Sequence, residues 1–300
     1  MKKKHVLLFF VDGLGIGTEG KSAYNPIETG DLPHIQSLLK NGSPVPTDTT
    51  LGIPGIPQSA SGQTTILTGV NAPKAIGKHL NGFPNEELRE IIRKDNIFIR
   101  LKKLGLKVTN ANAYNSRFIT SLERNLKEMK EMSVSTVATL SAGLTLRTEE
   151  DLKNHNAVYQ DLTNRIMMEK WKAKVPIRTP VEAAANLGNI VKDHDFTFFE
   201  YFQTDLAGHR KDFENAYRVL EELDQFLGGI MDFLPLENTL FILISDHGNI
   251  EDLSTPYHTV NKVPMIALGK GSEEFRLSIK TIQDITPSIE KYFLKKHQTS

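Results

Sequence analysis

Hydrophobic residues in this chain gather in short continuous runs instead of alternating with polar ones. Five runs stand out: "HVLLFFVD" at 5–12, "LKVTNANAY" at 106–114, "FTFFEYFQTD" at 196–205, "TLFILISD" at 239–246 and "VPMIALG" at 263–269. Each has strand length and is rich in β-branched, aromatic or other apolar residues, and unbroken apolarity predicts strands covered on both faces. The segments between them carry helical periodicity: "NIFIRLKKLG" before the second run, "PVEAAANLGNIVKDH" before the third and "DFENAYRVLEELDQFLGGIMDFL" before the fourth. Strands alternating with helices predict an α/β fold, a mainly parallel sheet flanked by helices, with ligands beyond the carboxyl ends of the strands.

Residues 114–178 depart from this rhythm. "TSLERNLKEMKEM" and "TEEDLKNHNAVYQDLTNRIMMEKW" are polar and helix-rich, without a convincing buried strand. They predict a small cap inserted into a core made of residues 1–113 and 179–300.

Composition narrows the function. With 300 residues, 39% of them hydrophobic, the chain can enclose one large core. Its 36 basic and 36 acidic residues cancel, and no long single-sign block occurs, so neither a nucleic acid nor an anionic membrane is the expected partner. A small molecule is. The absence of cysteine excludes disulfides, thiolate zinc sites and a cysteine nucleophile, so any metal must use nitrogen and oxygen ligands. The opening "MKKKHVLLFFVDG" has the flavour of a signal peptide, yet its apolar run covers only Val6 to Val11 and lacks a small-residue cleavage pattern. We read it as the first strand of a cytoplasmic protein. No apolar stretch approaches the roughly 18 residues of a membrane span. The oligomeric state is not legible.

Three of the predicted strands end in an acid: Asp12, Asp205 and Asp246. One such acid could simply begin a turn. Here His209 lies four residues beyond Asp205, His247 directly follows Asp246, and His258 opens the last strand candidate in "PYHTVNKVP". Carboxylates and imidazoles together suit zinc or manganese, and a set of this size at strand ends can hold two ions. "GIPGIPQSASGQTTILTG" then supplies a Pro/Gly loop leading into a short helix near Ser59. Ser59 or Ser61 could serve only as a helix cap. The same helix start could also present an oxyanion with free N–H groups and a serine hydroxyl that a metal makes nucleophilic.

The ordered motifs "VDGLGIG", "PQSASGQTTILTG", "DLAGH", "SDHGN" and "HTVNKVPMI" resemble the alkaline phosphatase superfamily of metalloenzymes, nearest the branch of cofactor-independent phosphoglycerate mutase and phosphopentomutase. The resemblance implies an alkaline-phosphatase-like fold and two divalent ions, zinc or manganese. It implies one ion on Asp205, His209 and His258, and another on Asp12, Asp246 and His247, with Ser59 bridging toward a phosphoryl group. Ser59 matches the family nucleophile because it stands three residues before Gly62, and Ser61 is the alternative. Departures are equally specific: Gln63 stands where the mutases usually have a histidine, and the cap is far shorter than theirs. The expected function is a metal-dependent phosphohydrolase or phosphoryl-transfer enzyme working through a phosphoserine on a small phosphoester. A phosphomutase and a non-catalytic metal-binding protein are the alternatives. Lys78, His79 and Arg117 are candidate substrate contacts, each equally explicable as a solvated loop charge.

Overall fold

The structure is a computed structural model that describes residues 4–17, 22–124 and 131–295. Six strands form one sheet: β1 (His5–Val11), β2 (Val45–Thr47), β3 (Val108–Asn110), β4 (Phe196–Tyr201), β5 (Thr239–Ile244) and β6 (Val263–Gly269), in the order β2-β6-β5-β1-β4-β3. The five apolar runs are all present as strands. β2, not anticipated from the sequence, is three residues long with Pro46 at its centre, and it lies at the sheet edge, where a missing N–H is tolerated.

β1 is paired in parallel with β4 on one side and β5 on the other, with Val6 opposite Phe196 and Leu240. Its successive side chains point to opposite faces. Leu7, Phe9 and Val11 enter a core with the helices Pro180–Asp193 and Phe213–Phe233. Val6, Leu8 and Phe10 enter the other, with the helices Ser59–Thr68, Ile97–Lys103 and Ile285–Leu294. Both faces are therefore dry, which is why the strand reads as an unbroken apolar run. Phe9, Phe199 and Phe226 interlock at centroid distances of 5.4–5.7 Å, and each such buried ring contributes about 1.5–3 kcal/mol by transfer from water.

Direction in the sheet decides where loops emerge. β3, β4, β1 and β5 run in parallel, β6 runs against β5, and β2 runs against β6. The carboxyl ends of β1, β4, β5 and β2 and the amino end of β6 consequently share one edge. Every candidate metal donor lies beyond that edge, on a loop or on the short helix that follows β4.

The region 114–178 is of two kinds. The helix Val134–Ser141 is buried against the core, with Val134, Val137 and Ala138 packed beside Phe98 and Phe198. Ala113, Leu152, Ala157, Tyr159, Met167 and Val175 form a separate small cluster. The expected helix at 120–132 is seen as Ser116–Arg124, and its remainder lies partly outside the described residues. Among the described residues, no helix is long and apolar enough to cross a membrane.

Candidate active site

Asp12 follows the last residue of β1, and Asp246 stands two residues beyond β5. Asp205 corrects the expectation of a third strand-end acid: β4 ends at Tyr201, and Asp205 belongs to the first turn of the helix Gln203–Arg210. One helical turn then places His209 on the same face, four residues on, with its Nε2 3.3 Å from Asp205 Oδ2. His258 likewise sits in the loop before β6 and does not open the strand. Its Nε2 is 3.3 Å from Asp205 Oδ1 and 3.0 Å from His209 Nε2.

Two donor groups result. The ligand atoms of Asp205, His209 and His258 lie within 4.8 Å of one another, as do those of Asp12, Asp205 and His247. Asp205 is thus common to both. Asp246, assigned by resemblance to the second group, places Oδ2 3.5 Å from His247 Nε2, which is also 3.3 Å from Asp12 Oδ1. The His247 and His258 rings stack at 3.6 Å, bringing the two groups into contact.

The electrostatics call for positive charge. Burial, with the neighbouring Asp246 and Asp205 carboxylates, raises the Asp12 carboxyl well above the usual range. Burial lifts Asp246 to about 7, with Asp205 adding to the rise. Burial also pushes Asp205 up, but the hydrogen bonds from His209 and His258 outweigh it and hold that carboxyl well below normal. Burial drives the His247 imidazole down to about 3, so this ring is neutral and available as a donor. Asp12 Oδ1 and both carboxylate oxygens of Asp246 are buried without a hydrogen-bond partner. Orphaned buried carboxylate oxygens are costly. Together with converging imidazole nitrogens, they are the surroundings a divalent cation would complete, so these residues fit two ions.

Comparison with known proteins agrees. The sequence profile of the Metalloenzyme superfamily matches residues 4–297. The chain belongs to that superfamily. A 2,3-bisphosphoglycerate-independent phosphoglycerate mutase of Acetivibrio thermocellus is 30% identical over 105 residues, a stretch that is 33% of this chain and only 20% of the mutase. Two solved structures share the fold across nearly the whole chain. Alkaline phosphatase from the Antarctic bacterium TAB5 (17% identity, 97% of this chain and 98% of that one) has a TM-score of 0.55. Leishmania mexicana phosphoglycerate mutase (10% identity, 95% and 94%) has a TM-score of 0.58.

In this metalloenzyme the donor loops are tied together by residues whose roles the sequence did not disclose. Buried Glu251 accepts from the backbone N–H of Gly15 (3.1 Å) and of Asn249 (2.7 Å), and from the side chains of Thr259 (2.5 Å) and Asn261 (3.0 Å). One carboxylate thereby joins the loops that follow Asp12, His247 and His258. A Cβ added to Gly15 would fall 2.3 Å from this carboxyl group and one on Gly248 2.2 Å from it, so both glycines are required by close approach. Ser245 Oγ accepts from Leu14 N–H and donates to the His247 carbonyl, each at 2.9 Å. Asn249 donates to Asp205 Oδ1 at 2.7 Å, and Gln63 to Asp12 Oδ2 at 3.1 Å. An acid two residues beyond "HGN" was the available signal for Glu251.

Ser59 and Ser61 share the helix Ser59–Thr68, but neither caps it; Gln58 holds that position. Ser59 Oγ lies 3.0 Å from His247 Nε2. Ser61 Oγ donates to the Gln58 carbonyl and accepts from Leu80 N–H, facing away from the metal donors. The metalloenzyme opens beside Ser59 into a cleft of about 730 Å³, which Asp12, Gln63 and Asp205 also line. Lys78, His79 and Arg117 do not line it: His79 Nε2 is bonded to the Ile53 carbonyl at 3.1 Å, and Lys78 and Arg117 are exposed.

Proposed function

We propose that this chain is a two-metal phosphohydrolase that turns over through a phosphoserine on Ser59. The observation carrying the proposal is the 3.0 Å approach of the Ser59 hydroxyl to His247, at a helix start beside both donor groups. Asp205, His209 and His258 would hold one ion, and Asp12, Asp246 and His247 the other, with Asp205 close to both. The mixed imidazole–carboxylate set suits zinc or manganese. Such ions, when bound, neutralise phosphoryl oxygens and favour ionisation of a hydroxyl or water.

The chain's own contribution is placement. Ser59, in the first helical turn, directs its oxygen toward the site while the helix N-terminus adds partial positive charge for the phosphoryl group. Formation of the Ser59 Oγ–P bond would break the bond from phosphorus to the substrate alcohol, and water would then cleave the phosphoserine to release inorganic phosphate. Trapping with a labelled phosphoester should mark Ser59 in the unaltered protein and in Ser61→Ala, and nothing in Ser59→Ala. Label on Ser61 would overturn the assignment.

Hydrolysis is favoured over mutase turnover because the described lining offers few cationic contacts to hold the freed, dephosphorylated acid or sugar beside the phosphoserine while it reorients. Lys170 and Arg210 are the only cationic side chains among the described residues that line it. Three other arginines of the region serve structure. Arg147 donates to the Asn110 carbonyl at 3.1 Å and to Thr109 at 2.9 Å, Arg165 pairs with Glu222 at 3.2 Å, and Arg178 donates to the Leu152 carbonyl. Supplied with 3-phosphoglycerate or ribose 1-phosphate, the metal-loaded protein should release inorganic phosphate and little isomer. The opposite ratio would establish a mutase.

A further inference from the structure

The cleft beside Ser59 has a character that phosphoryl chemistry alone does not require. Six aromatic side chains line it: Phe83, Tyr114, Phe118, Tyr159, Trp171 and Phe202. Tyr114 is stacked on Phe118 at 5.3 Å and tied through its hydroxyl to Thr136 at 3.0 Å, so this wall is fixed. Lys170 places its ammonium 5.0 Å from the Trp171 ring centre, which occupies one of the two lining cations with the wall itself. The polar lining is chiefly amide, including Asn81, Asn115, Gln160 and Gln203, while Glu131, Glu169 and Glu200 contribute acids.

Each feature selects against one kind of alcohol and for another. A small anionic alcohol would meet acids and aromatic faces with little cationic compensation. A planar ring would stack on the walls and offer its polar edge to the amides, which can both donate and accept. The volume, about 730 Å³, lies within the range of sites that enclose such ligands. We propose that the alcohol portion of the substrate carries a planar, neutral, hydrogen-bonding ring system, with nucleoside monophosphates as the test members of that class. The inference rests on the phosphohydrolase reading for the placing of the phosphate at Ser59, but the ring preference has its own readout.

Trp171 is the only tryptophan of the chain. Its fluorescence therefore reports on the cleft directly. The experiment titrates metal-loaded Ser59→Ala protein, which needs no turnover, with adenosine 5′-monophosphate and with ribose 5-phosphate. These ligands share the phosphorylated 5-hydroxyl of ribose and differ by the base. Stacking of a base on aromatic side chains supports an expected preference of tenfold or more for the nucleotide, accompanied by a change in Trp171 emission. Tyr159→Phe should retain the preference and Tyr159→Ala should reduce it. Equal affinities, or nucleotide binding that does not alter Trp171 emission, would overturn the inference. Phosphate release by the unaltered protein is measured in parallel. A ring preference without Ser59-dependent release would remove the hydrolase reading and leave the ring site standing, whereas Ser59-dependent release without a preference would do the reverse.

Discussion

At the scale of single residues, the site concentrates ionisable groups that cost free energy to bury and have few protein partners. Replacing Asp246 by Asn, or His258 by Ala, should lower divalent-metal content and phosphatase activity together, measured by elemental analysis and phosphate release on the same sample. Activity retained by the metal-depleted unaltered protein, with chelator present, would refute metal dependence. Glu200, on the wall of the same cleft, offers a test of the electrostatics of the site. It accepts from Ser135 and is 7% exposed, and burial raises its carboxyl from 4.5 to about 7. Between those values the folded protein keeps a proton that the unfolded chain has shed. Its contribution to stability is therefore complete below about pH 4.5 and is lost as pH rises through 7, a change of about 3 kcal/mol. Glu200→Gln removes the titration, so denaturant melts of the chelated proteins should show the variant gaining on the parent across that window. Parallel pH profiles would refute the shift.

At the scale of elements, the glycine three residues after Ser59 acquires a physical reason. Gly62 lies one helical turn on, where a Cβ would fall 2.8 Å from the Asp246 Cβ, so the serine helix is seated directly on the loop that carries the candidate donor Asp246. Gly62→Ala should force them apart, destabilise the fold by about 1–3 kcal/mol and reduce turnover by on the order of a hundredfold per ångström of displacement. Circular dichroism would show the helix retained, and activity close to the parent's would contradict the seating. The same level shows what sequence could convey. Strands such as β1 were legible because both faces are covered and their side chains are uniformly apolar. β2 was not, since three residues including Pro46 carry no periodic signal and are placed by pairing with β6. Asp205 was legible as part of a charged cluster but not as helical, because the break after Tyr201 falls within an apolar, aromatic stretch. The helix Val134–Ser141 is small and hydroxyl-rich, and burial of Ser135, Thr136 and Thr139 depends on neighbours that are distant in sequence. The spacing to Gly62 already favoured Ser59 over Ser61, and the structure adds a geometric reason in the bonds that turn Ser61 toward Leu80.

At the scale of the whole molecule, ions bound only by the folded donor set would link metal occupancy to folding. Zinc or manganese held at a hundred times its dissociation constant should stabilise the native state by about 2.7 kcal/mol per site, and chelation should lower Tm correspondingly in calorimetry. A Tm indifferent to chelator would separate the ions from the fold. The sheet order has a further consequence, for synthesis. β1 emerges first yet occupies the centre, flanked by β4 and β5, which are made much later. A nascent chain halted before Thr239 lacks β5, β6 and the donors Asp246, His247 and His258, and leaves one side of β1 without its strand. Long-range pairing of this kind folds slowly and leaves apolar segments unprotected meanwhile. Completion of the sheet and assembly of the candidate donor set are thus late events, reached only after most of the chain has left the ribosome, so a metal held by these residues would be loaded at the end of biosynthesis.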